Sequence, residues 1–360
     1  MKYSIQLAET LLRRYPDPDS YPYRSWSYSQ GFLLWGFIRL YEKTEDQKYL
    51  DYVMKYCEEH VTEDGAVRGF DGGSLDDMMT GSILAWAYRK TKQEKYYKAC
   101  TLIFQAFQDY PRNEDGGFWH SRDLEGEMWV DGLFMGQMFL VRYGAYVEPS
   151  AQTACFQEAI RQMNIVFDRC EKDGSGLLYH AYSARPRTPW ANPVTGKSQE
   201  VWSEGLGWYA MILTETLSLI PRSFPGWDSV QHQLDKLLLA LSCVQDSCSG
   251  LWYQVVDKPT SPGNWHDSSG SAMFLYAFQK AKLLGLCQKD YSMVISRAVE
   301  GLKTKCLSDL EGNLNVYDAC DGVCVQMDYE AYVRYARNVN AKEAVAAVLW
   351  AFAAVEWGAV

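Results

Sequence analysis

The chain has 360 residues and a formal net charge of −10, with an isoelectric point near 5.1. That balance argues against a nucleic-acid or anionic-membrane partner, because the mean field of the protein would repel either one. No apolar run reaches the length of a membrane span. Five histidines without an HExxH pattern give no sign of a metal centre.

Taken from the start, MKYSIQLAETLLRRYPD carries Glu9 and turns polar within a few residues, so it lacks the apolar stretch of a secretion signal. A cytoplasmic location is expected. No Pro/Ser-rich linker or charge run divides the chain, which reads as a single domain over residues 1–360. The ten cysteines are scattered through helical patterns and read as free thiols of a reducing compartment. Cys320 and Cys324 form the closest ligand-like pair but have no second pair or nearby histidine, so neither a metal nor a cofactor is expected. Aromatic residues make up 14% of the chain, with 25 Tyr and 13 Trp, more than a core alone calls for and suited to stacking on sugar faces.

A weak repeat then runs along the sequence. A polar or aromatic cluster leads to a small residue and on into a strongly apolar helical run: WSYSQGFLLWGFIRL at Gly31, LDDMMTGSILAWAYR at Gly81, WVDGLFMGQMFLVRYG at Gly136, WSEGLGWYAMILTETL at Gly207 and DSSGSAMFLYAFQKA at Gly270. A sixth run, NAKEAVAAVLWAFAAVE, has Ala344 in the same place. Between these lie amphipathic segments, residues 2–14, 46–60, 93–109, 150–170, 228–245 and 289–306, with one charged face each. Six helices apolar on every side alternating with six half-exposed ones predict an all-α fold, an (α/α)6 barrel with six inner and six outer helices. Strand is expected only over residues 177–179 and 251–255.

In such a barrel the loops before the inner helices converge on one end. Those loops contribute Tyr28, Gln30, Asp76, Asp77, His120, Trp129, Asp131, His180, Trp202, Glu204, His266 and Asp267. Any one of the acids fits a helix N-cap, which is also the plain reading of Asp131 just before its apolar run. Carboxylates recurring at the same end of successive inner helices, with tryptophan and histidine beside them, fit a sugar-handling cleft as well.

Over nearly its whole length the chain resembles the unsaturated rhamnogalacturonyl hydrolases of glycoside hydrolase family 105, relatives of the unsaturated glucuronyl hydrolases of family 88. The resemblance is carried by LDDMMTG at 75–81, by His120 followed by MWVDGLFM up to Met135, LYHAYS at 178–183, WANPVTGKS at 190–198, VWSEGLGWYAM at 201–211 and SSGSAMF at 268–274. It implies an (α/α)6 hydrolase acting on small oligosaccharides that lyases leave with a 4,5-unsaturated uronic acid at the non-reducing end, a rhamnogalacturonan fragment first among them. The implied chemistry is hydration of the vinyl ether, with Asp131 as general acid and then base, and Asp76 as a second carboxylate. His120, Trp129, His180, Trp202 and Trp208 match substrate-contacting positions, and Tyr28 matches another.

Two departures stand out. Where the family commonly has an arginine for the uronate carboxylate, this chain has Glu204, and Asp77 stands where the family often has histidine. Arg185, Arg187 and Arg122 are the candidate replacements for the missing cation; alternatively Glu204 contacts hydroxyls and the substrate's acid is held differently. A 2-epimerase of N-acylated amino sugars, which needs paired histidines such as His180 and His266, is the second reading. A non-catalytic sugar-binding barrel is the third.

Overall fold

An α-helix that is apolar all round must be buried all round, and six such helices can bury one another by closing into a ring. The computed structural model describes residues 2–22, 25–185 and 187–358, and the ring is closed. Its inner members are α2 (Tyr28–Thr44), a pair α4 (Leu75–Met79) and α5 (Gly81–Thr91), α7 (Val130–Arg142), α9 (Ser203–Leu219), α11 (Ser268–Leu283) and α14 (Lys342–Trp357). Each packs on the next, and α14 returns to α2. The outer layer is α1 (Tyr3–Arg14), α3 (Gln47–His60), α6 (Glu94–Gln105), α8 (Gln152–Cys170), α10 (Trp227–Val244) and α12 (Ser292–Lys305). Each outer helix lies against one inner helix: α3 on α2, α8 on α7, α10 on α9, α12 on α11 and α1 on α14, while α6 covers α5. The (α/α)6 reading therefore holds, with one inner helix broken at Thr80.

The small residues of the repeat sit where the layers are tightest. A methyl group at Gly270 would lie 2.7 Å from the Ser203 carbonyl carbon, and one at Gly31 would lie 2.9 Å from the Thr80 Cα. Gly136 is roomier, with its nearest neighbour 3.3 Å away. The α9–α11 and α2–α4 approaches thus demand glycine, because backbone cannot yield as a side chain can.

The expected strands are only single bridges, Glu171 with Leu178, Tyr253 with His266, and Val255 with Trp202. The strand that matters was not expected. β1 (Glu127–Trp129) pairs antiparallel with β2 (Ala181–Ser183), setting Trp129 opposite Ala181. All ten cysteines are free, six of them at zero to three per cent exposure, with Cys243, Cys248 and Cys324 exposed and Cys287 half-buried, and β3 (Cys306–Ser308) holds one of the six. No described helix is long and apolar enough to cross a membrane.

Candidate active site

The inner helices deliver their side chains to one mouth by a shared register. At the start of α4 the N-cap is Ser74 and the second helical residue is Asp76. At α7 the N-cap is Trp129 and the second residue Asp131, at α9 they are Trp202 and Glu204, and at α14 they are Ala341 and Glu343. Four carboxylates thus occupy equivalent first-turn positions. This corrects the cap reading of Asp131. The cap position belongs to Trp129, and Asp131 lies one step inside the helix, where its carboxylate is turned to a side-chain partner instead of the backbone.

A cleft of about 130 Å³ opens there, lined by Tyr28, Asp76, His120, Trp129, Asp131, Met135, Trp202, Glu204, Trp208, Gly322, Val323, Cys324 and Lys342. The β1–β2 pair sets its catalytic wall. Val130 N–H donates to the His180 carbonyl at 3.0 Å, so the start of α7 is tied to the histidine just ahead of β2. His180, 1% exposed, is then 3.1 Å from Asp131 Oδ2 through Nε2 and 2.7 Å from the Tyr332 hydroxyl through Nδ1. That hydroxyl already accepts from Gln326 N–H at 3.2 Å, so its own proton is directed to Nδ1. His180 Nε2 therefore carries the ring proton and donates it to Asp131. The other oxygen, Oδ1, is left for chemistry.

The second carboxylate is held similarly. Leu75 N–H donates to the His120 carbonyl at 3.0 Å, and His120 Nε2 lies 3.9 Å from Asp76 Oδ2. The His120 ring stacks on Trp129, centroids 4.2 Å apart and planes 10° from parallel. Burial pushes Asp76 above the usual carboxylate range. His120 opposes that shift, while Asp131 and Glu343 add to it. Trp202 packs on His180 with centroids 4.5 Å apart, and Trp208 closes the floor against Phe32 and Phe134.

Of the expected residues, the cleft brings together Tyr28, Asp76, His120, Trp129, Asp131, Trp202, Glu204 and Trp208, with His180 directly behind Asp131. It does not bring in the arginines. Arg185 is a correction: its guanidinium pairs with Glu125 and lines a separate depression with Arg112 and Arg169. Arg122 is spent on the Gly72 carbonyl at 3.1 Å, and Arg187 is exposed. The cation of the cleft is Lys342, at the first position of α14 and 2.7 Å from Glu343 Oε1. Glu343 in turn accepts from the Tyr28 hydroxyl at 2.5 Å. Sequence reasoning passed over Lys342 and Glu343 because the sixth run lacks the aromatic lead-in of the others.

Glu204 is 1% exposed, and its Oε2 has no hydrogen-bond partner. Burial, then the charges of Glu343 and Asp267, push its pKa well above the usual carboxylate range. Asp77 is outside the cleft. It closes a capping box with Ser74, and burial together with a hydrogen bond to Asp71 pushes it up to about 7. His266 is bonded to Asp246 at 2.9 Å and to Ser249, and Asp267 caps α11.

Carboxylates in pairs, walled by tryptophans at one end of a helical barrel, define a carbohydrate-active (α/α)6 protein. More narrowly, the chain belongs to glycosyl hydrolase family 88, whose model matches residues 3–357. A solved family 105 glycoside hydrolase from Clostridium acetobutylicum superposes with a TM-score of 0.93 at 28% identity, covering 99% of each chain. The unsaturated rhamnogalacturonyl hydrolase YesR of Bacillus subtilis is 24% identical over 71% of this chain and 72% of its own length. Protein Atu3128 of Agrobacterium fabrum is 34% identical over 43% of this chain, and the match spans 64% of that protein.

Proposed function

We propose that this protein removes a 4,5-unsaturated uronic acid from the non-reducing end of lyase-generated oligosaccharides by hydrating the C4=C5 double bond, with rhamnogalacturonan fragments as the first substrate class. The observation that carries the reading is the buried chain Tyr332–His180–Asp131 at the cleft wall. Because His180 donates to Oδ2, Asp131 presents Oδ1 as the proton-bearing oxygen. Asp131 delivers that proton to C4, water adds at C5 as the carboxylate takes back a proton, and the hemiketal opens to release the remaining sugar as an alcohol. No leaving-group oxygen is protonated in the first step, so the pair need not keep the spacing of an ordinary glycosidase. The name of the B. subtilis relative supports the rhamnogalacturonan class.

Binding of the substrate's acid group falls to Lys342 and Glu204. Lys342 supplies the positive charge in place of the family arginine, and neutral Glu204 donates a hydrogen bond through a carboxyl that is buried and unsatisfied at Oε2. The epimerase reading needs two histidines facing one sugar carbon. His266 is engaged with Asp246 and does not line the cleft, which disfavours it.

The test is incubation with unsaturated disaccharides from pectin, glycosaminoglycan and ulvan lyases, following the ultraviolet absorbance of the double bond. Loss of absorbance with the rhamnogalacturonan product, abolished in Asp131→Asn, is expected. Persistent absorbance with every substrate would refute the hydration chemistry.

A further inference from the structure

The opposite end of the barrel holds a second cavity, of about 360 Å³, walled by the C-terminal halves of the inner helices. Its charged lining is Arg39, Arg89, Arg142 and Lys280 against Glu42 and Glu215, an excess of one positive charge with Lys280 neutral and two with it protonated, in a protein whose net charge is −10. Three of the cations are buried: Arg39 and Arg142 at 3% side-chain exposure and Lys280 at 2%. Glu215 is their shared counter-ion, and it is saturated. It accepts from Arg39 Nη2 at 2.7 Å, from Lys280 Nζ and the Tyr276 hydroxyl at 2.5 Å, and from Arg142 Nη2. Arg39 Nε and Arg142 Nε remain buried without a partner.

Uncompensated buried charge is costly, so the excess calls for an explanation. The carbonyl ends of the inner helices favour cations in the last turn, and this accounts for Arg142, which closes α7 and donates to the Met138 carbonyl at 3.2 Å. It does not account for Arg39, more than a turn from the end of α2 at Thr44, nor for the two unpartnered Nε groups. Ring faces nearby are taken by the guanidiniums themselves: Arg39 lies 4.0 Å over Trp350, Arg142 4.3 Å over Trp35 and Arg89 4.5 Å over Tyr146. Of the lining rings only Trp86 has no cation over it, so the cavity offers charge far more than stacking surface and favours a compact, oxygen-rich ligand.

We infer that the end of the barrel opposite the cleft is a binding site for a small tetrahedral dianion of the phosphate or sulfate type, held by Arg39, Arg142 and Lys280 with Arg89 at the mouth. The unpartnered Nε–H groups of Arg39 and Arg142 can each donate to an oxygen of such an ion, and the dianion neutralises the cluster. Lys280 gives the site a proton linkage. Burial pulls its pKa down to about 7, Glu215 opposes that, and Arg39 and Arg142 lower it further. A bound dianion reverses the balance, so binding near pH 7 takes up about half a proton, with Glu42 and Arg89 the other charges facing the cavity.

The experiment is titration calorimetry of the whole protein with sodium phosphate and, separately, sodium sulfate at constant ionic strength set with chloride, in two buffers of different ionisation heat. Expected is a saturable isotherm with proton uptake at pH 7. Arg89→Ala, at an exposed position, should weaken binding about tenfold, the value of one charge-assisted contact. Lys280→Met, which leaves Glu215 paired with Arg39 and Arg142, should abolish the proton uptake. Binding of both ions marks a general dianion site, and binding of one alone names the ligand. Absence of a saturable isotherm, or binding unchanged in both variants, overturns the assignment.

Discussion

Lys342→Met is the sharpest test of how the cleft holds its substrate. The ammonium is the one cation lining a cleft that also holds Asp76, Asp131 and Glu204 among the described residues, and it is mostly buried, at 17% side-chain exposure. A hydrogen bond to a charged group in such a setting contributes about 1.5–3 kcal/mol, which converts to a rise of about 10- to 150-fold in KM. The variant also removes the partner of Glu343 at 2.7 Å, whose charge then faces the incoming uronate and pushes in the same direction. Initial rates of absorbance loss, measured with the free acid and with its methyl ester, separate charge recognition from general damage. The free acid should lose the full factor and the ester little, with kcat nearly unchanged. Equal losses for acid and ester, or an unchanged KM for the acid, would show that Lys342 does not grip the carboxylate.

Glu204→Gln keeps a neutral donor in place, so activity should persist. In the native protein, binding is expected to fail as pH rises through the elevated pKa of Glu204, and the glutamine variant should lack that alkaline limb in a profile of kcat/KM. Asp77, pushed up to about 7, favours the folded state while protonated, so its contribution is complete below the unfolded carboxylate pKa near 4 and fades as pH rises toward 7. Asp77→Asn should therefore raise the melting temperature at pH 8 and leave it nearly unchanged at pH 4, as differential scanning fluorimetry would show. Glu215→Gln strips three buried cations of their counter-ion. A cost of about 3–5 kcal/mol in a chain of this size corresponds to a fall of about 4–7 °C in melting temperature, checked by calorimetry.

The barrel could be read from the sequence because a period-3.6 run with no polar face leaves a helix nowhere to sit but inside a ring, and six such runs between amphipathic ones close it. Asp131 and Trp129 were legible for a different reason, the local clustering of unusual residue types, and His180 through its loop before the next inner helix and the LYHAYS motif. What failed was everything decided across distance. Asp131 looked like a cap because the chain gave no sign that Trp129 starts the helix, and Trp129 takes that place because β1 pairs with β2 more than fifty residues later. Arg185 looked close to the site because it follows His180 by five positions. A strand and a turn intervene, and its charge ends on Glu125. Lys342 is far in the chain from every cleft residue the sequence singled out, and only ring closure brings α14 beside α2.

The shared register of Asp76, Asp131, Glu204 and Glu343 has an engineering consequence. Asp76, Asp131 and Glu204 enter the cleft, and Glu343 reaches its lining residues Tyr28 and Lys342, because each is the second residue of its helix; adding or deleting one residue after the N-cap would swing it about 100° around the axis, out of reach of ligand. Loop length ahead of the N-cap carries no such penalty. The mouth of this barrel therefore behaves as a set of separately addressable sockets, in which ligand preference can be rewritten one helix start at a time while the glycine-packed ring beneath stays as it is.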